Sequence, residues 1–94
     1  MDFSDWRGEI DQIDEEIMNL LKRRAEIVAE IGKRKAQKGL PVVDRARERQ
    51  ILRRIENDSH AVLSAEAAHC VFRCIIKESR RIQTAIIEQT VELC

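Results

Sequence analysis

Apolar residues recur with helical spacing over the first third of the chain. Most successive members of this stripe lie three or four residues apart, as on one face of an α-helix. The stripe consists of Trp6, Ile10, Ile13, Ile17, Leu20, Leu21, Ile27, Val28 and Ile31. Ser4 is a suitable N-cap, and Gly39 and Pro41 are typical of a helix end. The pattern therefore predicts a first helix over about residues 4–37.

Two shorter helical patterns follow. Asp44 is a suitable N-cap for a second helix over about 44–56, and a third pattern runs over about 64–92. The second helix carries Ile51, Leu52 and Ile55, and the third carries Ala68, Phe72, Ile75, Ile76, Ile82, Ile86 and Ile87. We therefore predict a single all-α domain over residues 1–94, with a long first helix in a three-helix protomer.

The length of the first helix has a consequence for assembly. At about 1.5 Å per residue it spans roughly 50 Å, whereas a compact domain of this size has a radius of gyration of about 12 Å. The two remaining helices cannot cover so long an apolar face. The sequence thus predicts an intertwined helical homodimer, in which a second copy lies alongside.

Composition limits the possible partners. Seventeen basic and 17 acidic residues cancel, so there is no overall attraction to nucleic acid or to an anionic membrane. No signal peptide is visible, and no run approaches the roughly 20 apolar residues of a membrane span. Three cysteines, Cys70, Cys74 and a predicted free thiol at Cys94, favour a reducing cytoplasm. His69 beside Cys70 and Cys74 lacks the spacing of a zinc site, so no metal is predicted.

Five polar residues occupy positions where the helical pattern calls for apolar ones. They are Arg24 and Lys35 on the first helix, Glu48 on the second, and Ser79 and Gln83 on the third. One such residue alone is best interpreted as paired within the core or reaching its edge. Five across three helices favour a binding site for a small polyanion instead. No nucleophile with an adjacent base is apparent among them.

Three segments together resemble the all-helical chorismate mutases. They are WRGEIDQIDEEIMNLLKRRAEIVAEIGKRK, PVVDRARERQIL and IIKESRRIQ, and the similarity extends from about Asp5 to Gln89. The resemblance implies an interlocked dimer with two equivalent sites. It also implies the [3,3] rearrangement of chorismate to prephenate, on the route to phenylalanine and tyrosine, without a cofactor or metal.

The resemblance also implies roles for eight residues. The catalytic set would be Arg24, Lys35, Gln83 and Glu48. Arg24 would bind one substrate carboxylate, and Arg7 would reach the other from the partner chain. Lys35 would contact a carboxylate and the ether oxygen, and Gln83 would be the second donor to that oxygen.

The remaining implied contacts surround the substrate ring. Glu48 would accept the ring hydroxyl, assisted by the backbone at Asp44. Ser79 and Arg47 would bind the substrate or close the site. The spacing agrees with a shared site, because Arg7 and Arg24 lie about 25 Å apart along one helix and cannot reach the same small ligand within one chain.

Two other interpretations remain. Isochorismate pyruvate lyases resemble the same scaffold and also place cations around a dicarboxylate. Alternatively, the chain could be a helical interaction module, either a coiled coil or a nucleic-acid binder that uses RARER, RR and KRK. The chain could be free-standing or the first domain of a bifunctional enzyme, and the sequence does not distinguish these.

Overall fold

Three helices account for the fold of the residues that the structure describes. The computed structural model describes residues 2–58 and 60–92, with side chains up to residue 89; Cys94 lies outside the described residues. The helices are α1 (Phe3–Lys38), α2 (Arg45–Asn57) and α3 (Ala65–Glu92). The predicted all-α fold with a long first helix is confirmed.

The start of α1 differs from the prediction. Its N-cap is Asp2, whose side chain accepts the backbone N–H of Asp5 at 3.1 Å, while the Asp5 carboxylate accepts the N–H of Asp2 at 3.3 Å. This reciprocal pair satisfies two backbone donors, which a cap at Ser4 would not. The prediction of Ser4 as the N-cap was wrong. At the other end Gly39 takes the left-handed conformation (φ 66°) that ends the helix.

The starts of α2 and α3 follow the sequence closely. The side chain of Asp44 accepts the backbone N–H of Arg47 at 3.0 Å, so Asp44 is the N-cap of α2, as predicted. At α3 the hydroxyl of Ser64 accepts the N–H of Ala67 at 3.1 Å. Both short polar side chains replace the hydrogen-bond partners that a first helical turn lacks.

Both α1 and α2 pack against α3. The buried apolar residues are few, namely Val28, Ile51, Ala68 and Ile76. The chain measures 58 × 27 × 14 Å, and its radius of gyration is 16.9 Å, against about 12 Å for a compact domain of this length. The single chain is therefore elongated around a small core.

Most of the apolar stripe of α1 is exposed. Its buried residues are Val28 and Gly32. Between 44% and 62% of the surface is exposed at Trp6, Ile10, Ile13, Ile17, Leu20, Ile27 and Ile31. The predicted burial of this face therefore does not occur within one chain. Among the described residues, no helix is both long and apolar enough to cross a membrane.

Candidate active site

A pocket of about 360 Å³ lies where the three helices meet. Its apolar wall consists of Ile27, Val28, Ile31, Val42, Ile51 and Ile76. Its polar lining consists of Arg24, Lys35, Asp44, Arg47, Glu48, Ser79, Arg80 and Gln83. A concave pocket in which polar groups converge beside an apolar wall is typical of a site for a small molecule.

Helix α1 contributes two cations to this pocket. Arg24 and Lys35 are eleven residues apart, about three helical turns, and so share one face. The Arg24 guanidinium donates to the hydroxyl of Ser79, which donates in turn to the carbonyl of Ile75 at 3.0 Å. The Lys35 ammonium donates to the carbonyl of Val42 at 2.9 Å. Both cations are thus held in place from within the fold.

Neither cation meets an anion among the residues that the structure describes. Among the side chains described up to residue 89, the hydrogen bonds of Arg24 and Lys35 go to neutral oxygen atoms, and neither makes an ion pair. Burial and the nearby Arg47 guanidinium lower the pKa of Arg24 below its ordinary value. Its positive charge persists at neutral pH, because a guanidinium does not deprotonate in proteins. The pocket therefore has positive charge to offer to an anionic ligand.

Glu48 on α2 has a partner that the sequence analysis missed. Arg80 donates from Nε to Oε2 of Glu48 at 2.7 Å and from Nη2 to Oε1 at 2.5 Å. This hydrogen-bonded arginine lowers the pKa of the Glu48 carboxyl, against a smaller opposing effect of burial. Arg80 and Glu48 are 32 residues apart in the sequence, and they meet because α3 packs against α2. In the sequence, Arg80 lies four residues after Ile76 and seven before Ile87, at the edge of the α3 stripe.

Two uncharged polar side chains of α3 are as buried as the core. Ser79 and Gln83 are 9% and 8% exposed, close to the 7% of Val28. The amide oxygen of Gln83 is buried without a hydrogen-bond partner in the described part of the chain. Because such an atom costs free energy, it indicates a position where a ligand completes the bonding.

The close approach of α1 and α3 at Gln83 depends on Gly32. A Cβ at Gly32 would lie 3.2 Å from the Cα and 3.3 Å from the Cγ of Gln83. Contacts this short require Gln83 to give way by a few tenths of an ångström. A side chain at Gly32 would therefore displace Gln83.

The remaining predicted site residues lie at the edge of the pocket or outside it. The exposed Arg47 donates to Gln50 at 2.7 Å, and Asp44 caps α2. Arg7 lies in the second turn of α1, fully outside this pocket. Seven of the eight predicted residues thus line one pocket, and the eighth is 17 residues from Arg24 along α1.

The histidine and cysteine residues considered for a metal lie elsewhere. His69 faces Glu56, with 3.5 Å between Nε2 and Oε1. Cys70 and Cys74 are exposed free thiols. Among the described residues, no group of three or more histidine, cysteine or acidic side chains is arranged to hold a metal ion.

Comparison with known proteins gives consistent matches. The T-protein of Haemophilus influenzae is 40% identical over 77 residues, which cover 80% of this chain and 20% of that protein. The bifunctional chorismate mutase/prephenate dehydratase of Escherichia coli is 36% identical over 84 residues, or 88% of this chain and 22% of that protein. The chain thus spans about a fifth of these two relatives.

A shorter relative matches over most of its length. The chorismate mutase of Methanocaldococcus jannaschii is 29% identical over 86 residues, which cover 89% of this chain and 86% of that protein. The family model described as chorismate mutase type II matches residues 6–84. That range contains every polar residue of the pocket as well as Arg7. The chain therefore belongs to the chorismate mutase type II family.

Proposed function

We propose that this chain is an isomerase that converts chorismate to prephenate in the biosynthesis of phenylalanine and tyrosine. The observation that carries the proposal is the pair of cations, Arg24 and Lys35. Neither meets an anion in the described part of the chain, and their pocket also holds Glu48 and Gln83. Chorismate carries two carboxylates, one hydroxyl and one ether bridge. The pocket supplies donors for carboxylates and an acceptor for a hydroxyl.

Binding in this pocket would select the reactive shape of the substrate. A [3,3] rearrangement needs no nucleophile and no proton transfer, so its rate depends on conformation and charge. Arg24 binds one carboxylate and Glu48 accepts the ring hydroxyl, which together hold the diaxial, chair-like conformer. Fixing that conformer before reaction removes part of the entropic barrier.

The second contribution is electrostatic. Negative charge grows on the ether oxygen as its C–O bond breaks. Lys35 and Gln83 lie on opposite helices, α1 and α3, and both line the pocket. Rotation of the Gln83 amide presents its N–H donors in place of the unpartnered oxygen, so both residues can donate to the same atom. Donors fixed beforehand in such a pocket stabilise the transition state more than the bound substrate.

We also propose that the active unit is a homodimer in the cytoplasm. The exposed apolar stripe of α1 supports a second copy as its partner, since the same stripe on both copies is self-complementary about a two-fold axis. Antiparallel packing of two such helices would bring Arg7 of each copy towards the pocket of the other. The second carboxylate of chorismate would then have its own cation.

The direct test is chorismate consumption by the purified chain, with prephenate identified as the product and the mass in solution measured alongside. We expect prephenate and a dimeric mass. A parallel assay with isochorismate distinguishes a mutase from an isochorismate pyruvate lyase, because the lyase would release pyruvate and salicylate. An absence of turnover on chorismate would reject the proposed function.

A further inference from the structure

The ion pair between Arg80 and Glu48 lies at the edge of the pocket and ties α3 to α2. Both carboxylate oxygens of Glu48 are engaged by one guanidinium, at 2.7 and 2.5 Å. The side chain of Glu48 is 19% exposed, whereas that of Arg80 is 39% exposed. Both side chains line the pocket, and that of Arg80 is the more exposed of the two.

This geometry fixes the carboxylate without saturating it. Each carboxylate oxygen can accept two hydrogen bonds, and Arg80 occupies one on each. Two parallel N–H···O bonds also define the plane of the carboxylate, which a single contact would not. Glu48 therefore keeps acceptor capacity in a defined direction while its charge is retained.

We propose that Arg80 is a positioning residue that holds Glu48 ionised and oriented as the acceptor for a ligand hydroxyl. This inference rests on the proposed function, in which that hydroxyl is the ring hydroxyl of chorismate. Arg80 acts through Glu48 and does not itself bind the substrate. Its contribution to the reaction should therefore disappear when Glu48 can no longer act as a carboxylate.

The charges around Glu48 determine how its titration responds. Arg80 faces it from α3, where Arg73 and Lys77 line a neighbouring cavity with it. Asp44, Arg45 and Arg47 precede it at the start of α2, and Arg24 and Lys35 line the same pocket from α1. The hydrogen bond from Arg80 is the largest cause that lowers the Glu48 pKa, and Arg45 adds to it, while burial and Asp44 oppose it. Removing Arg80 therefore raises the pKa of Glu48. If substrate binding needs the carboxylate, the acid limb of kcat/KM moves to higher pH.

Four variants test this, namely Arg80→Ala, Arg80→Lys, Glu48→Gln and the double variant Arg80→Ala/Glu48→Gln. Arg81→Ala is the matched control, since Arg81 is the next residue, is 70% exposed and only approaches Glu78 at 3.5 Å. The measurements are kcat and KM for chorismate across acidic and neutral pH, with thermal melting to establish folding.

We expect Arg80→Ala to lower kcat/KM by about tenfold, mainly through KM, and to move its acid limb upward. Arg80→Lys should recover part of the loss, because lysine keeps the charge but cannot form the two parallel bonds. In the Glu48→Gln background, Arg80→Ala should cause no further loss, since the two residues act as one unit. Arg81→Ala should retain the parent kinetics.

Two results would overturn the inference. One is a parent-like kcat/KM and pH profile in Arg80→Ala. The other is losses that multiply in the double variant, which would mean that Arg80 contacts the substrate directly. Titration of the Glu48 carboxyl by NMR needs no substrate, so it tests the positioning even if the parent protein proves inactive on chorismate. An unchanged Glu48 titration in Arg80→Ala and Arg80→Lys would equally reject it.

Discussion

The contacts of Arg24 and Lys35 indicate that both residues lower the stability of the folded chain. Each is partly withdrawn from water, and their hydrogen bonds go to a hydroxyl and a carbonyl. A neutral partner compensates a desolvated cation less well than a carboxylate does. The chain thus keeps positive charge available in the pocket at the expense of its own stability, as expected where a ligand supplies the counter-charge.

The ammonium of Lys35 gives the sharpest prediction at this scale. We expect Lys35→Ala to lower kcat by about 10²–10³, the usual effect of losing a donor to a developing oxyanion. The exposed Lys38 is a matched control, because it lies one turn on in the same helix and outside the pocket. Parent-like turnover in Lys35→Ala, or an equal loss in Lys38→Ala, would contradict the assigned role.

Replacing Gln83 by glutamate tests the second donor through pH. An amide donates at every pH, whereas a carboxyl group donates only when protonated. Gln83→Glu should therefore be active only at acidic pH and lose activity as the new carboxyl ionises, while the parent shows no such loss. The measurement is kcat as a function of pH for both proteins. A parent-like profile in the variant would mean that Gln83 does not contact the ether oxygen.

Sequence patterns locate polar residues on apolar faces but not their tertiary partners. Arg24, Glu48 and Gln83 interrupt apolar stripes, which is why the sequence predicted them as site residues, and the structure brings them to one pocket. Arg80 lies four residues after Ile76 and seven before Ile87, at the edge of the α3 stripe, where a cation resembles any solvated one. Its position against Glu48 follows only from how α2 packs on α3, which no spacing along the chain encodes.

At the scale of helices, the regular spacing of apolar residues was enough to predict three helices and their order. Where each helix begins and ends depends on the capping interactions of individual residues. The cap at Asp44 follows directly from its residue type. The start of α1 does not, because Asp2, Ser4 and Asp5 are all suitable caps. The reciprocal bonds between Asp2 and Asp5 decide between them. Such a choice depends on backbone geometry that composition does not reveal.

The two glycines inside α1 provide a matched pair for testing how helix packing positions the site. Gly32 faces Gln83, at 3.2–3.3 Å from an added Cβ, whereas a Cβ at Gly8 would meet nothing within 4 Å. We expect Gly8→Ala to stabilise the fold by about 0.5–1 kcal/mol through helix propensity alone, with activity retained.

Gly32→Ala should behave differently. This variant gains the same helix propensity as Gly8→Ala, but its new methyl group displaces α3 at Gln83. We therefore expect kcat to fall and the protein to gain little or no stability. Thermal melts and kcat for both variants, with the mass in solution as a control on assembly, check this. Equal stabilisation and equal activity in the two variants would show that the close approach at Gly32 does not position Gln83.

At the scale of the whole molecule, both the shape of the chain and the composition of its pocket indicate that a second copy is needed. The chain is 58 Å long, its apolar α1 stripe is exposed, and Arg7 lies outside the pocket of its own chain. Helix length and spacing were sufficient to predict that one chain could not cover α1. They could not give the geometry between two copies, because that depends on side-chain packing across the interface.

Mixed dimers test whether two chains share each site. Arg7→Ala and Lys35→Ala should each be nearly inactive as homodimers. If the two variants are unfolded together and refolded, about half of the dimers are mixed, and one of the two sites in each mixed dimer combines an intact Lys35 with an intact Arg7 of the partner subunit. We therefore expect recovery of about a quarter of parent activity, a statistical limit set by symmetric two-fold pairing.

Lys35→Ala refolded with Arg24→Ala is the control, because both changes fall in the part of the site that one chain supplies, and no combination restores it. Recovery in the control, or none in the test mixture, would mean that Arg7 does not complete the site of its partner.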